Sequence, residues 1–262
     1  MTVLAAALLM ATVSGATFQK AGVTADAQVR ASVVFVGAHP DDTEGFAATA
    51  FLLRERYDLH VVDFTGGERG CGEEKFRSGW TKAKRLAEEN AACAFLGAKV
   101  HWIGEVDGEA CATPRTVERI GELLRTLKPK AVFTHWPVDG HPDHMHCATA
   151  VQTAVLRMKE RPELYFFEVI PGETANWHPL YSVDVTATMD RKTEMMRMYE
   201  CQNENDWLAK EKIDQATRRG RERVPSCRYA ETFTTYDGLP IAGGVLEGLV
   251  ETVKLEKRGG NL

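Results

Sequence analysis

An α/β fold, a Rossmann-like three-layer sandwich with a mostly parallel sheet and helices on both faces, is predicted by three features of this 262-residue chain. Short apolar runs alternate with helically spaced segments from Ser32 to Val169. Those runs stop at glycine or at a polar turn, as strands buried on both faces do. No internal repeat and no linker breaks the pattern, so residues 31–262 read as one domain with a C-terminal addition.

Ser32–Val36, ending at Gly37-Ala38, is the first strand. Thr43–Tyr57 follows as a helix with Phe46, Ala50 and Leu53 on one face, and Leu59–Phe64 is the second strand. Thr65 to Gly79 reads as a glycine-rich, charged loop around Gly66-Gly67-Glu68-Arg69-Gly70. Thr81–Leu96 is helical and stopped by Gly97, before a third strand at Lys99–Ile103. After a loop holding Asp107-Gly108, Val117, Ile120, Leu124 and Leu127 recur at helical spacing, and Lys128-Pro129 ends that helix. Ala131–Trp136 is the fourth strand, Pro137–Asp143 a loop, His144–Lys159 a helix and Leu164–Val169 the fifth strand. Beyond Ile170 the pattern loosens. It offers a strand at Tyr181–Val185, helices at Met189–Gln202 and Trp207–Arg219, and a return to the sheet at Tyr229–Tyr236.

Composition bounds the partners. The chain is 44% hydrophobic and 26% charged, which suits a globular domain. A net charge of −5 argues against nucleic acid or an anionic membrane as the main partner. No apolar run is long enough for a transmembrane helix. Residues 1–30 stand apart from the fold: Val3–Val13 with Ser14-Gly15-Ala16 reads either as a secretory signal lacking its leading cation or as an N-terminal extension. The compartment, cytoplasmic or exported, and a homo-oligomeric state stay open. The six cysteines have no CxxC spacing, so a cysteine–zinc site is not expected. Cys93 and Cys147 read as buried thiols, while Cys71 and Cys111 lie in loops and are free to pair if the chain is exported.

In open α/β sheets, ligands sit beyond the carboxyl ends of strands. Two such ends carry chemistry here: His39-Pro40-Asp41-Asp42 after the first strand, and Asp139-Gly140-His141-Pro142-Asp143-His144 after the fourth. A catalytic zinc site takes three N or O ligands and leaves a position for water, whose pKa falls to about 7. His39, Asp42 and His144 supply such a set. Asp41, next to a ligand, is placed to act as base toward that water. His141 is expected to serve as a protonated donor to an oxyanion and then to the leaving amine, with Asp143 holding its tautomer. The positive end of the following helix is expected to keep His144 neutral. Glu44 reads as structural, Asp42 as a candidate helix cap, and His135, at the end of its strand, as a support to the ligands.

The run Ala38-His39-Pro40-Asp41-Asp42-Thr43-Glu44, together with Gly140-His141-Pro142-Asp143-His144, resembles the PIG-L (LmbE-like) family of zinc-dependent N-deacetylases. Gly66-Gly67-Glu68-Arg69-Gly70, Arg85-xx-Glu88, Lys192, Cys201-Gln202 and Tyr229-Ala230-Glu231-x-Phe233 extend the resemblance. It implies a Rossmann-like fold, zinc on His39, Asp42 and His144, Asp41 as base and His141 as oxyanion partner. The implied reaction removes acetyl from an N-acetylglucosamine-type sugar, a small-molecule substrate. Arg69 and Asp107 then become substrate contacts, as does Asp139, which stands where some members carry a Tyr two residues before His141. The alternatives are an amidase acting on a thiol-sugar conjugate and a sugar- or metal-binding protein without turnover.

Overall fold

In β1 (Ser32–Gly37), side chains alternate between two apolar layers. Val33 and Phe35 enter one buried cluster, Val34 and Val36 the other. This two-sided burial is why the strand is an unbroken apolar run. The structure is a computed structural model that describes residues 30–236 and 243–252. The signal-or-extension segment lies outside these residues except for Arg30.

The sheet has the order β3-β2-β1-β4-β5-β7-β6-β8. β2 (Asp58–Thr65), β3 (Ala98–Glu105), β4 (Ala131–His135) and β5 (Glu163–Phe167) join β1 in parallel. The chain steps outward from β1 to β3, then restarts at β4 on the other side of β1. The loops after β1 and β4 therefore flank the point where strand order reverses, where such sheets open a crevice.

α1 (Ala47–Leu53), α3 (Trp80–Leu96), α6 (Met189–Met196) and α7 (Trp207–Glu222) cover the face carrying Phe35. α4 (Pro114–Leu127) and α5 (Pro142–Leu156) cover the face carrying Val34. The α4 pattern is the clearest: Val117, Ile120 and Leu124 are buried, Thr113 accepts from the Thr116 amide at 3.2 Å, Pro114 opens the helix, and Lys128 ends it in a left-handed turn. The C-terminal addition forms β6 (Tyr181–Asp184), β7 (Ala230–Thr235) and β8 (Val250–Thr252), all antiparallel to their neighbours. Its helices are anchored by buried ion pairs: Lys192 to Glu231 at 2.7 Å and Lys212 to Glu44 at 3.1 Å.

The structure corrects several boundaries. Thr43–Tyr57 is not one helix: a 3-10 turn at Asp42–Gly45 precedes α1. A Cβ on Gly45 would stand 2.5 Å from the Phe167 ring, so the turn packs directly on β5. The loop from Thr65 to Gly79 contains a short helix, α2 (Glu73–Arg77), which buries no residue. α5 starts at Pro142, so His144 lies within its first turn instead of opening it. The helix expected to run to Gln202 ends at Met196. Among the described residues, no helix is long and apolar enough to cross a membrane.

Candidate metal centre

The turn after β1 is tightly drawn. A Cβ on Gly37 would meet Asp42 Cβ at 2.8 Å, so this position needs glycine. Asp42 does not cap the following helix. Its Oδ2 turns back to accept from the Ala38 and His39 amides, both at 2.7 Å. Asp41 takes φ 105°, a backbone conformation unusual for any residue but glycine.

The turn after β4 is built as a helix start. His141 caps α5, its Nδ1 accepting from the Asp143 amide at 3.2 Å, and Pro142 occupies the first turn. His144 is thereby aimed back at β1. Its Nδ1 lies 3.0 Å from Asp139 Oδ1, which leaves Nε2 facing Asp42 Oδ1 at 3.6 Å.

His39, Asp42 and His144 are all buried, and their donor atoms lie within 4.8 Å of one another. Donors ~2.1 Å from a common ion stand roughly 3–4 Å apart. The His39 Nδ1–Asp42 Oδ2 distance of 3.7 Å and the His144–Asp42 distance meet that spacing. The second nitrogen of each imidazole engages a carboxylate, the usual support for a metal-binding histidine. Asp139 supports His144; Asp107 Oδ1 and Asp143 Oδ2 each stand 3.3 Å from His39 Nε2. The donor set thus fits a divalent cation. His39, Asp107 and His141 form a second group within the same spacing. That group would use His39 Nε2, the nitrogen Asp143 already engages.

The charges agree with a site built to hold a cation. Burial alone would lower the pKa of His39, but Asp107, Asp143 and Asp42 push it well above the usual histidine range. Burial also works against Asp42 ionising, yet the neighbouring His135 and His144 hold its carboxyl well below the usual range. His135 Nε2 lies 3.0 Å from Asp42 Oδ2, and both face the Ala38 amide, at 2.9 and 2.7 Å. Burial drives His135 down to about 4.

Asp41 sits beside this trio on the wall of a cavity of about 310 Å³. Burial pushes it up to about 7; Arg85 opposes the rise, while Asp42 and Glu44 add to it. Arg85 Nη2 donates to Asp41 Oδ1 at 2.5 Å and also to the Pro40 carbonyl. The glycine-rich loop exists in large part to pack this guanidinium: a Cβ on Gly67 or Gly70 would come within 2.5 and 2.6 Å of Arg85. Arg85 stands out in the sequence only as part of a motif, and its contact with Asp41 is visible only in three dimensions.

Four expectations change. Asp143 does not hold His141 with its carboxylate, which lies on His39 and on the Gly108 amide at 2.7 Å; its backbone N–H does the holding. The protonated form expected of His141 is disfavoured, because burial and the nearby His39 and His144 lower its pKa. Asp139 is not a substrate contact: its side chain is buried and divided between His144, the His141 amide and Thr174. At His144 burial lowers the pKa, but Asp42 and Asp139 reverse the shift upward, against the direction expected from the helix start. Arg69 and Asp107 do line the cavity. They are joined through the Arg69 amide to Asp107 Oδ2 at 2.8 Å and Arg69 Nε to the Asp107 carbonyl at 2.7 Å.

Residues 34–155 match the family model described as PIG-L: GlcNAc-PI de-N-acetylase. The chain is 30% identical over 180 residues to 4-oxalmesaconate hydratase of Pseudomonas putida, covering 62% of this chain and 70% of that one. It is 27% identical over 190 residues to diacetylchitobiose deacetylase of Thermococcus kodakarensis, covering 66% and 71%. The fold also matches the solved N,N'-diacetylchitobiose deacetylase from Pyrococcus horikoshii, with a TM-score of 0.70, 22% identity, and 79% and 84% of the two chains covered.

Proposed function

Because this chain belongs to the PIG-L family, we propose that it is a zinc-dependent hydrolase that removes the N-acetyl group from an N-acetylglucosamine-type sugar or glycoconjugate and releases acetate. The observation that carries this reading is the buried His39–Asp42–His144 trio with the Asp41 carboxylate at its edge, on a cavity wall. Two imidazoles and one carboxylate suit zinc among the divalent ions. When bound, such an ion supplies Lewis acidity to the acyl oxygen and acidity to water.

The remaining steps fall to the chain. Asp41, near neutrality in its pKa, takes the proton of the attacking water and returns it to the departing amine nitrogen. Arg85 holds its Oδ1, so the other oxygen carries the proton. His141 acts as a neutral donor. Its Nδ1 accepts from the Asp143 amide, so its proton is on Nε2 and is offered to the oxygen that gains charge. Asp139, Asp107 and Asp143 fix the tautomers of the two ligand imidazoles. Arg69 and Asp107 contact the substrate from the cavity wall, and Trp207, 46% exposed on that wall, offers a sugar ring its aromatic face.

The test combines metal analysis with an acetate-release screen over N-acetylated sugars. Zinc near one per chain and acetate from an N-acetylglucosamine derivative are expected. A folded, metal-replete preparation that releases acetate from none of them ends the deacetylase reading. A second reading, addition of water to 4-oxalmesaconate, draws on the likeness to the Pseudomonas putida hydratase. Loss of that compound's ultraviolet absorbance without acetate release would favour it. Amine release from a thiol-sugar amide would favour the amidase, and metal binding with no turnover the binding protein.

A further inference from the structure

Beside the cavity mouth, two half-buried thiols meet at a single amide. Gln202 Nε2 lies 3.6 Å from Cys71 Sγ and 3.7 Å from Cys201 Sγ. Cys71 Sγ itself rests 3.9 Å from the carbonyl oxygen of Cys201. The Gln202 side-chain amide also donates to the Gly70 carbonyl at 3.3 Å, so it spans the two segments. A Cβ on Gly70 would crowd this contact, standing 3.1 Å from Gln202 Nε2. We propose that Cys71 and Cys201 are a disulfide-forming pair, a covalent modification site that ties the loop after β2 to the turn after α6.

Cys111, the loop thiol that sequence alone leaves as a partner for Cys71, is exposed and makes no such contact among the described residues. Cys93 and Cys147 are fully buried and are out of reach of an oxidant. Cys71 and Cys201 are instead half-exposed and both adjoin the Gln202 side-chain amide. A rotamer change at each cysteine, with Gln202 displaced, brings the sulfurs together.

The oxidant is a low-molecular-weight disulfide. The Cys71 thiolate displaces one thiolate from it, forming a mixed disulfide. Cys201 Sγ, which donates to Glu88 Oε2 at 2.9 Å, passes its proton to that carboxylate or to water and attacks the Cys71 sulfur. The second small thiol leaves. Two protein thiols are oxidised to one disulfide, and one small disulfide is reduced to two thiols. The bond closes a loop spanning 130 residues, so it restricts the unfolded chain strongly. It also holds Gly70 and Gln202, which both line the cavity, at one separation.

The experiment does not rest on the proposed activity. The full-length protein is incubated with oxidised glutathione or with a phosphine reductant, alkylated, digested and mapped by mass spectrometry, and its thermal midpoint is recorded in each state. Expected are a Cys71–Cys201 crosslinked peptide in the oxidised sample only and a midpoint higher by several degrees, reversed on reduction. Cys71→Ser and Cys201→Ser should each abolish the crosslink and the rise, while the reduced variants unfold and turn over as the reduced parent does. Recovery of Cys71 joined to another cysteine, or alkylation of both thiols after oxidation, overturns the pairing.

Discussion

The turns after β1 and β4 serve one centre and hold their ligands by opposite means. In the first, ligand and scaffold are the same group: Asp42 faces the ion position while its Oδ2 accepts from two backbone amides of its own turn. That turn also carries the positive φ of Asp41 and leans on Arg85 from α3. In the second, the tasks are divided. His144 is the proposed ligand, while Asp139 and the ordinary start of α5 do the holding. A fused arrangement fails in fold and chemistry together, whereas a divided one lets them be lost separately.

The largest effect is therefore expected at Asp42. Asp42→Ala should remove bound metal, bring acetate release below detection and lower the unfolding free energy by about 3 kcal/mol, since two buried amides lose their acceptor and the buried histidines around it lose their anionic neighbour. Metal analysis and urea unfolding on one preparation check both parts, and a variant as stable as wild type breaks the comparison. Asp41→Asn is expected to leave metal content intact and slow turnover by roughly 10²–10⁴. Asparagine tolerates positive φ, so the turn survives. Wild-type turnover in that variant would remove Asp41 as the base.

What was legible in the sequence divides along the same line. β1 to β5 are apolar runs because both their faces are covered, and the turns after β1 and β4 each carry a contiguous motif. The single helix expected over Thr43–Tyr57 failed because the packing of Gly45 on Phe167 and the backbone of Asp41 are set by tertiary contact, not by apolar spacing. α2 has no buried face and so no periodic signal. The convergence of His39, Asp42 and His144 is readable in the sequence, but the carboxylate behind each imidazole is not. Asp107 reaches His39 from a loop beyond β3, and Asp139, expected to face substrate because it stands where some family members carry a Tyr, turns inward to His144.

Asp139 gives the direct test of the divided turn. Asp139→Asn should weaken metal binding by roughly 10–100-fold, because the imidazole of His144 loses its anionic partner. Stability of the metal-free protein should fall by no more than about 1 kcal/mol, since the asparagine carbonyl still accepts from the His141 amide. Competition with a chromogenic chelator reads the affinity. A loss of stability as large as that of Asp42→Ala would mean that the second turn is fused as well.

The smallest effect is expected one strand away, at Asp63, which pairs in register with Gly37 at the root of the first turn. Its side chain is buried, and Oδ2 has no hydrogen-bond partner among the described residues. Burial first, then the charges of Glu89, Asp42 and Asp41, push its pKa well above the carboxylate range. The folded protein thus keeps a proton that the unfolded chain releases near pH 4, so this residue lowers stability progressively as pH rises from there to the folded pKa. Asp63→Asn has no such proton. Its stability advantage over wild type should widen with pH by at most about 1.4 kcal/mol per unit, read by urea unfolding at fixed metal concentration across a pH series. A gap that does not change with pH would mean that the carboxylate crowding of the first turn ends at β1 and does not reach its neighbour.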